Sequence, residues 1–217
     1  MMRRGLFCAA LLLVAGCENG EVANPLAPVG ELAGMLRGAP QAATPETTRL
    51  ARTALSALKE PVGLAVVSDI GAAAILVPLG VNPRAAGGPV TTWTTQGRQT
   101  LAFGPDGRVI ATRGLGDDLM ATARRADGAR MHYGIDSANG RLDHVLICRR
   151  SGVSVETVTL ASGERLALRR ETETCTTDAG ARVTNEFWRD RDGRARKSRQ
   201  WINPGLGYLD WETLRPE

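Results

Sequence analysis

From residue 62 onward the chain is cut into short apolar or alternating segments by strong turn signals. These are Gly87-Gly88, Pro105-Asp106-Gly107, Ala138-Asn139-Gly140, Ser162-Gly163 and Asp192-Gly193. Asp-Gly and Asn-Gly pairs reach positive φ cheaply and reverse a chain within two residues, which closes hairpins and leaves little room for helices. Between the turns lie "VGLAVV", "AAAILVPL", "VTTWTT", "QTLAF", "RVIAT", "ARMHYGI", "DHVLICR", "VSVETVTL", "ERLALRRETET", "RVTNEFW" and "ARKSRQWI". Such β-branched, period-2 stretches predict a mostly-β domain of about ten strands, an antiparallel sandwich or barrel. In this pattern "GDDLMATARRA" reads as a short helix, with Asp117 as its cap after Gly116.

The N-terminal third is different. Arg3 and Arg4 precede an uncharged run from Leu6 to Ala15. Ten helical residues reach roughly 15 Å, half of a hydrocarbon core of about 30 Å, so the run is a signal peptide and not a span. It closes on Val14-Ala15-Gly16-Cys17, which resembles the lipobox of bacterial lipoproteins. That resemblance implies cleavage after residue 16, acylation of the Cys17 thiol and a membrane-lipid partner. Glu18, where an aspartate retains lipoproteins in the inner membrane, implies the outer membrane with the domain facing the periplasm. Several acyl chains hold firmly where a single one binds marginally.

Residues 17–45 carry Pro25, Pro28, Pro40 and Pro45 among Ala and Gly and read as a flexible tether. Thr44 and Pro45 then start an N-terminal helix with a Leu50, Ala51, Ala54, Leu55, Leu58 stripe, which Pro61 ends. The β domain is thus expected over 46–217. Within it "DGRVIATRGL" (106–115) echoes "DGRARKSRQW" (192–201). Either two related β units, about 61–120 and 129–217, or a chance likeness of two Asp-Gly hairpins explains the echo.

Removing Arg3 and Arg4 takes two charges from the formal +4, so the exported chain is nearly balanced and its overall charge selects no partner. The export signal also argues against nucleic acid. Of four cysteines, Cys8 leaves with the signal and Cys17 carries lipid, which leaves Cys148 and Cys175. An oxidising compartment favours their disulfide, worth roughly 3.5 kcal/mol for a loop of about 28 residues. Free thiols, or a metal site with His132 and His144, are the alternatives.

No nucleophile elbow, zinc-peptidase motif or phosphate-binding glycine loop is present, and no cofactor, metal or catalytic residue is expected. Asp117-Asp118 is a tempting carboxylate pair, but adjacent side chains diverge on a strand or a helix. Two features suit sugar binding instead. Trp93, Trp188, Trp201 and Trp211 sit near strand ends, where they either stack on sugars or fill the core. The segment 189–199, "RDRDGRARKSR", sets six basic side chains against Asp190 and Asp192. Arg194 and Arg196 share one strand face there, so Arg194, Arg196, Trp93 and Trp201 are the candidate contacts to an anionic glycan. A solvated edge strand is the plain alternative.

Two stretches carry a family likeness. They are "VTTWTTQGRQTLAFGPDGRVIATRGLGDDL" (90–119) and "NEFWRDRDGRARKSRQWINPGLGYLDWETLRP" (185–216), each with tryptophan, an Asp-Gly turn and a hydrophobic exit. In this order they resemble the YjbF/GfcB lipoproteins of group 4 capsule and exopolysaccharide operons. The likeness, with the lipobox and the helix, covers residues 1–17 and 46–216. It implies a role in making or exporting extracellular polysaccharide and supplies no catalytic residues. The expected function is a non-catalytic binding or scaffold component. A periplasmic polysaccharide-modifying enzyme and an accessory lipoprotein docked on an outer-membrane export protein are the alternatives.

Overall fold

A computed structural model describes residues 60–215, Ala86 excepted. The expected signal peptide, acylation site (Cys17), tether and N-terminal helix lie outside the described residues. Twelve strands follow one another: β1 (Val62–Val67), β2 (Ala72–Asn82), β3 (Val90–Thr94), β4 (Thr100–Phe103), β5 (Val109–Arg113) and β6 (Asp118–Arg124). Then come β7 (Arg130–Ile135), β8 (His144–Thr159), β9 (Arg165–Thr177), β10 (Arg182–Arg189), β11 (Ala195–Asn203) and β12 (Gly207–Arg215). They form a single antiparallel sheet in the order β5-β4-β3-β2-β1-β12-β11-β10-β9-β8-β7-β6. Every neighbour is consecutive in sequence except β1 and β12, whose pairing joins the two halves.

The ends of this sheet, β5 and β6, come together to make a nearly closed barrel. Among the described residues no ladder joins them; a side-chain clasp does. Thr112 Oγ1 donates to Asp118 Oδ1 (2.8 Å) and accepts the Leu119 N–H (2.9 Å), while Asp118 Oδ2 accepts the Gly114 N–H (2.7 Å). Thr112 and Asp118 are both buried, so the clasp is shielded from competing water.

Three expectations are corrected here. "GDDLMATAR" forms β6 and no helix, because Leu119 enters the core while Asp118 holds the preceding turn. The capping role falls to Asp118; Asp117 accepts a 3.3 Å bond from the Ser137 N–H instead. The strand number is twelve: β6 and β12 are additional, and "DHVLICR" and "VSVETVTL" merge into β8. A bulge between Arg150 and Gly152 carries β8 from the first of these segments into the second.

Two clusters of buried side chains bear on the site. One is built on Trp93, Phe103 and Trp211, with Leu76, Leu101, Ile202 and Leu209. Trp211 meets Trp93 edge-on (centroids 4.9 Å apart, 68° between planes) and Phe103 at 4.8 Å. Gly63 makes room for this: a Cβ there would fall inside the Trp211 ring. The second cluster joins Leu146, Cys175, Val183 and Trp201, flanked by Cys148 and Tyr208. Cys148 and Cys175 face each other across β8 and β9 and are bonded, with sulfurs 2.10 Å apart.

Candidate functional site

The two turns that echo each other in sequence meet in space. Both are Asp-Gly reversals with glycine at positive φ, 72° at Gly107 and 80° at Gly193. Each is closed by a backbone bond, Gly107 N–H to Gly104 O (2.9 Å) and Gly193 N–H to Asp190 O (3.1 Å). Gly107 sits directly against Ala195, where a Cβ would approach the alanine methyl to 2.6 Å. Arg189 Nη2 donates to Asp106 O (2.8 Å), Gln200 Nε2 donates to Gly107 O (3.0 Å), and Gln200 Oε1 accepts the Val109 N–H (3.0 Å). These bonds hold the β4–β5 turn on the first half of β11.

Beside this junction opens a groove of about 340 Å³. The buried Trp93, Phe103 and Trp211 are its floor, and Pro89, Pro105, Arg194 and Arg196 complete the lining. Three of the four expected contacts, Trp93, Arg194 and Arg196, are therefore brought together. Trp201 is not among them. It lies in the second cluster, 6.2 Å from the His132 ring and 5.7 Å from the His144 ring, with its backbone N–H donating to Asn185 Oδ1 (2.8 Å).

The basic segment is mostly spent. Arg189 pairs with Glu171 (3.0 Å), Lys197 with Glu212 (2.6 Å) and Arg199 with Asp210 (2.9 Å). Arg194 is exposed in the turn before β11. Arg194 thus precedes the strand, which corrects the expectation that the two share one strand face, and Arg196 is not the solvated side chain of the plain alternative. It is nine-tenths buried, and its Nη2 donates to Glu164 Oε2 (3.0 Å). Its Nε–H, also buried, has no acceptor. Alternation puts Arg196 on the inward face of β11 with Ser198 and Gln200, and that register is set by the sheet.

Phe103 and Trp211 belong to the groove but were not among the expected contacts. The signal for Trp211 is present in "GYLDWETLR", where Leu209, Trp211 and Thr213 alternate on one face of a strand. Trp188 is buried elsewhere, its indole N–H bonded to Glu156.

A second polar cluster sits inside the barrel. Glu173 accepts from Arg108 (2.8 and 3.1 Å), from Arg130 (3.3 and 3.2 Å) and from Asn185 Nδ2 (3.3 Å). Burial alone raises the Glu173 carboxyl, but the Arg130 hydrogen bond and the Arg108 charge outweigh it and hold it at about 2. His132 is also lowered from its ordinary value, which keeps it neutral: burial, and the charges of Arg130, His144 and Arg108, bring it to about 4 despite the 3.0 Å bond to Ile202 O. Cys148, Cys175 and Glu173 lie close enough to suggest a metal set. The sulfurs are bonded to each other, however, and the carboxylate is saturated by arginine, so thiolate ligation is not open to them. Asp118 is likewise engaged by Thr112, Gly114 and Leu115, which leaves no acid/base couple with Asp117.

Residues 31–214 match the family model described as "Group 4 capsule polysaccharide lipoprotein gfcB, YjbF". The chain belongs to the YjbF family. This membership sets it among capsule-polysaccharide lipoproteins and indicates no catalytic family. The fold is similar to the crystal structure of the hypothetical lipoprotein YmcC from Escherichia coli K12, with a TM-score of 0.64 and 17% identity over 88% of this chain and 96% of that one. No curated protein matches the chain significantly.

Proposed function

We propose that this YjbF-family chain is an outer-membrane lipoprotein, held through acylated Cys17, whose periplasmic barrel binds polysaccharide without cleaving it during assembly or export. The observation that carries the reading is the groove between the two Asp-Gly turns. Three aromatic side chains floor it, and two arginines but no carboxylate line it. Aromatic faces with a few convergent polar groups suit sugar recognition, while a glycosidase of the usual kind needs two facing carboxyl groups. The test is retention of the cell's own surface polysaccharide by the full chain in affinity electrophoresis, compared with Arg194→Ser. Slowed migration of the parent that the variant relieves supports the reading; unretarded migration of the parent refutes it. Mass spectrometry of the mature N-terminus should find a triacylated Cys17, and an unmodified end elsewhere would remove the anchor from the proposal.

The docking alternative is favoured by one observation. β8 outruns β7, which pairs with it only as far as Leu146, and beyond that point Ile147, Val153 and Val155 are exposed. A photo-reactive side chain at position 153 should crosslink an outer-membrane export protein if this edge docks; an absence of crosslinks leaves the binding role alone.

A further inference from the structure

We infer that the groove recognises a negatively charged group on the sugar, with the Arg196 Nε–H as the donor that selects it. The inference rests on the polysaccharide-binding reading and narrows its ligand to an acidic glycan, one bearing a carboxylate such as a uronic acid. Three independent features of the same groove support it.

The first is the orphan donor. Arg196 is nine-tenths buried and always charged, and its Nε–H meets no acceptor while Nη2 is held by Glu164. A buried donor of a charged group without a partner is costly, and an acceptor delivered by a ligand removes that cost. The second is the lining. Both titratable side chains in it are arginines, and Glu164, the carboxylate paired with Arg196, lies outside the lining. A neutral sugar hydroxyl could also accept from Nε–H, but a carboxylate there gains in addition the attraction of Arg194, exposed at the rim. The third is rigidity. Ala195 is clamped under Gly107, and the neighbouring Gln200 bridges Gly107 and Val109, so the Arg196 backbone is fixed on both sides. A guanidinium held in this way is pre-organised, and less freedom is lost per hydrogen bond formed on binding.

The aromatic floor orients the ligand. Trp93, Phe103 and Trp211 are each more than nine-tenths buried, so they offer a small apolar patch and not a long stacking platform. The volume is at the lower end of the roughly 300–1,000 Å³ usual for small-molecule sites. One acidic residue of a polysaccharide fits this arrangement: its ring lies against the floor and its carboxylate turns toward Arg196, with Arg194 closing from solvent.

The experiment is calorimetric titration of the full chain with tetragalacturonate and with the same tetrasaccharide after carboxyl reduction. The parent is compared with Arg194→Ser and Arg196→Lys, and melting curves confirm that both variants fold. The lysine keeps a positive charge opposite Glu164 but has no Nε–H, so it separates the proposed donor from charge alone. The expected result is at least tenfold tighter binding of the acidic form, weakened about tenfold by Arg196→Lys, about threefold by Arg194→Ser, and further by salt because the rim charge is screened. Equal affinity for the acidic and reduced forms overturns the inference while leaving polysaccharide binding intact. Undiminished binding by folded Arg196→Lys overturns the role of Nε–H. Binding of neither tetrasaccharide also overturns the inference, and retention of the cell's own polysaccharide then decides separately whether the broader reading stands.

Discussion

Acidification tests how His132 is held. Its ring is buried, its Nδ1 lies 3.0 Å from Ile202 O, and it stacks on Trp201 beneath the positive charges of Arg130 and Arg108. Protonation would bury a charge away from water and set it beside two guanidinium groups, which is why its value falls from 6.5 to about 4. The folded value is below the unfolded one, so this histidine's contribution is fully present above pH 6.5 and is lost as pH falls toward 4. The full difference is worth about 3 kcal/mol, of which about 2 kcal/mol disappears between pH 7 and pH 5. Glu173 has the same sign in a lower window: its value drops from 4.5 to about 2, so its contribution is lost only below pH 4.5. Urea unfolding at pH 7, 6 and 5 therefore isolates the histidine. The parent should lose about 2 kcal/mol across this range, and His132→Gln should lose that much less than the parent. An equal pH slope in parent and variant, or a His132 titration by NMR centred near 6.5, would refute the reasoning.

Two further outcomes follow from the packing. Reducing Cys148–Cys175 should lower stability by roughly 3.5 kcal/mol in the chain-entropy model, read as a shifted urea midpoint, with two thiols becoming alkylatable only after reductant is added; free thiols in protein isolated without reductant would contradict the pairing. Gly63→Ala should cost 1–3 kcal/mol or more by forcing the Trp211 ring off Trp93 and Phe103, visible as altered tryptophan fluorescence together with a lower Tm.

The sequence alone determined what local chemistry controls. Turn residues mark each reversal by their own φ preferences, so the Gly107, Gly140, Gly163 and Gly193 hairpins were legible without tertiary contacts. Alternation likewise marked β1, β3, β7, β10 and β11, and the tryptophan-bearing stretches carried the family likeness. Matters that depend on partners distant in sequence were decided by the tertiary structure. Asp118 began a strand because Thr112, on the other end strand of the sheet, supplied its hydrogen bond. Arg196 looked like surface because it lies in a run of charges, yet the β11 register turned it inward against Glu164 from the β8–β9 hairpin. The same register kept Trp93 with Trp211 and sent Trp201 to the histidines. Residue type sets which face a side chain prefers, but the pairing of β1 with β12 sets which interior that face lines. The groove exists only because that pairing brings two similar turns, 86 residues apart in sequence, into contact.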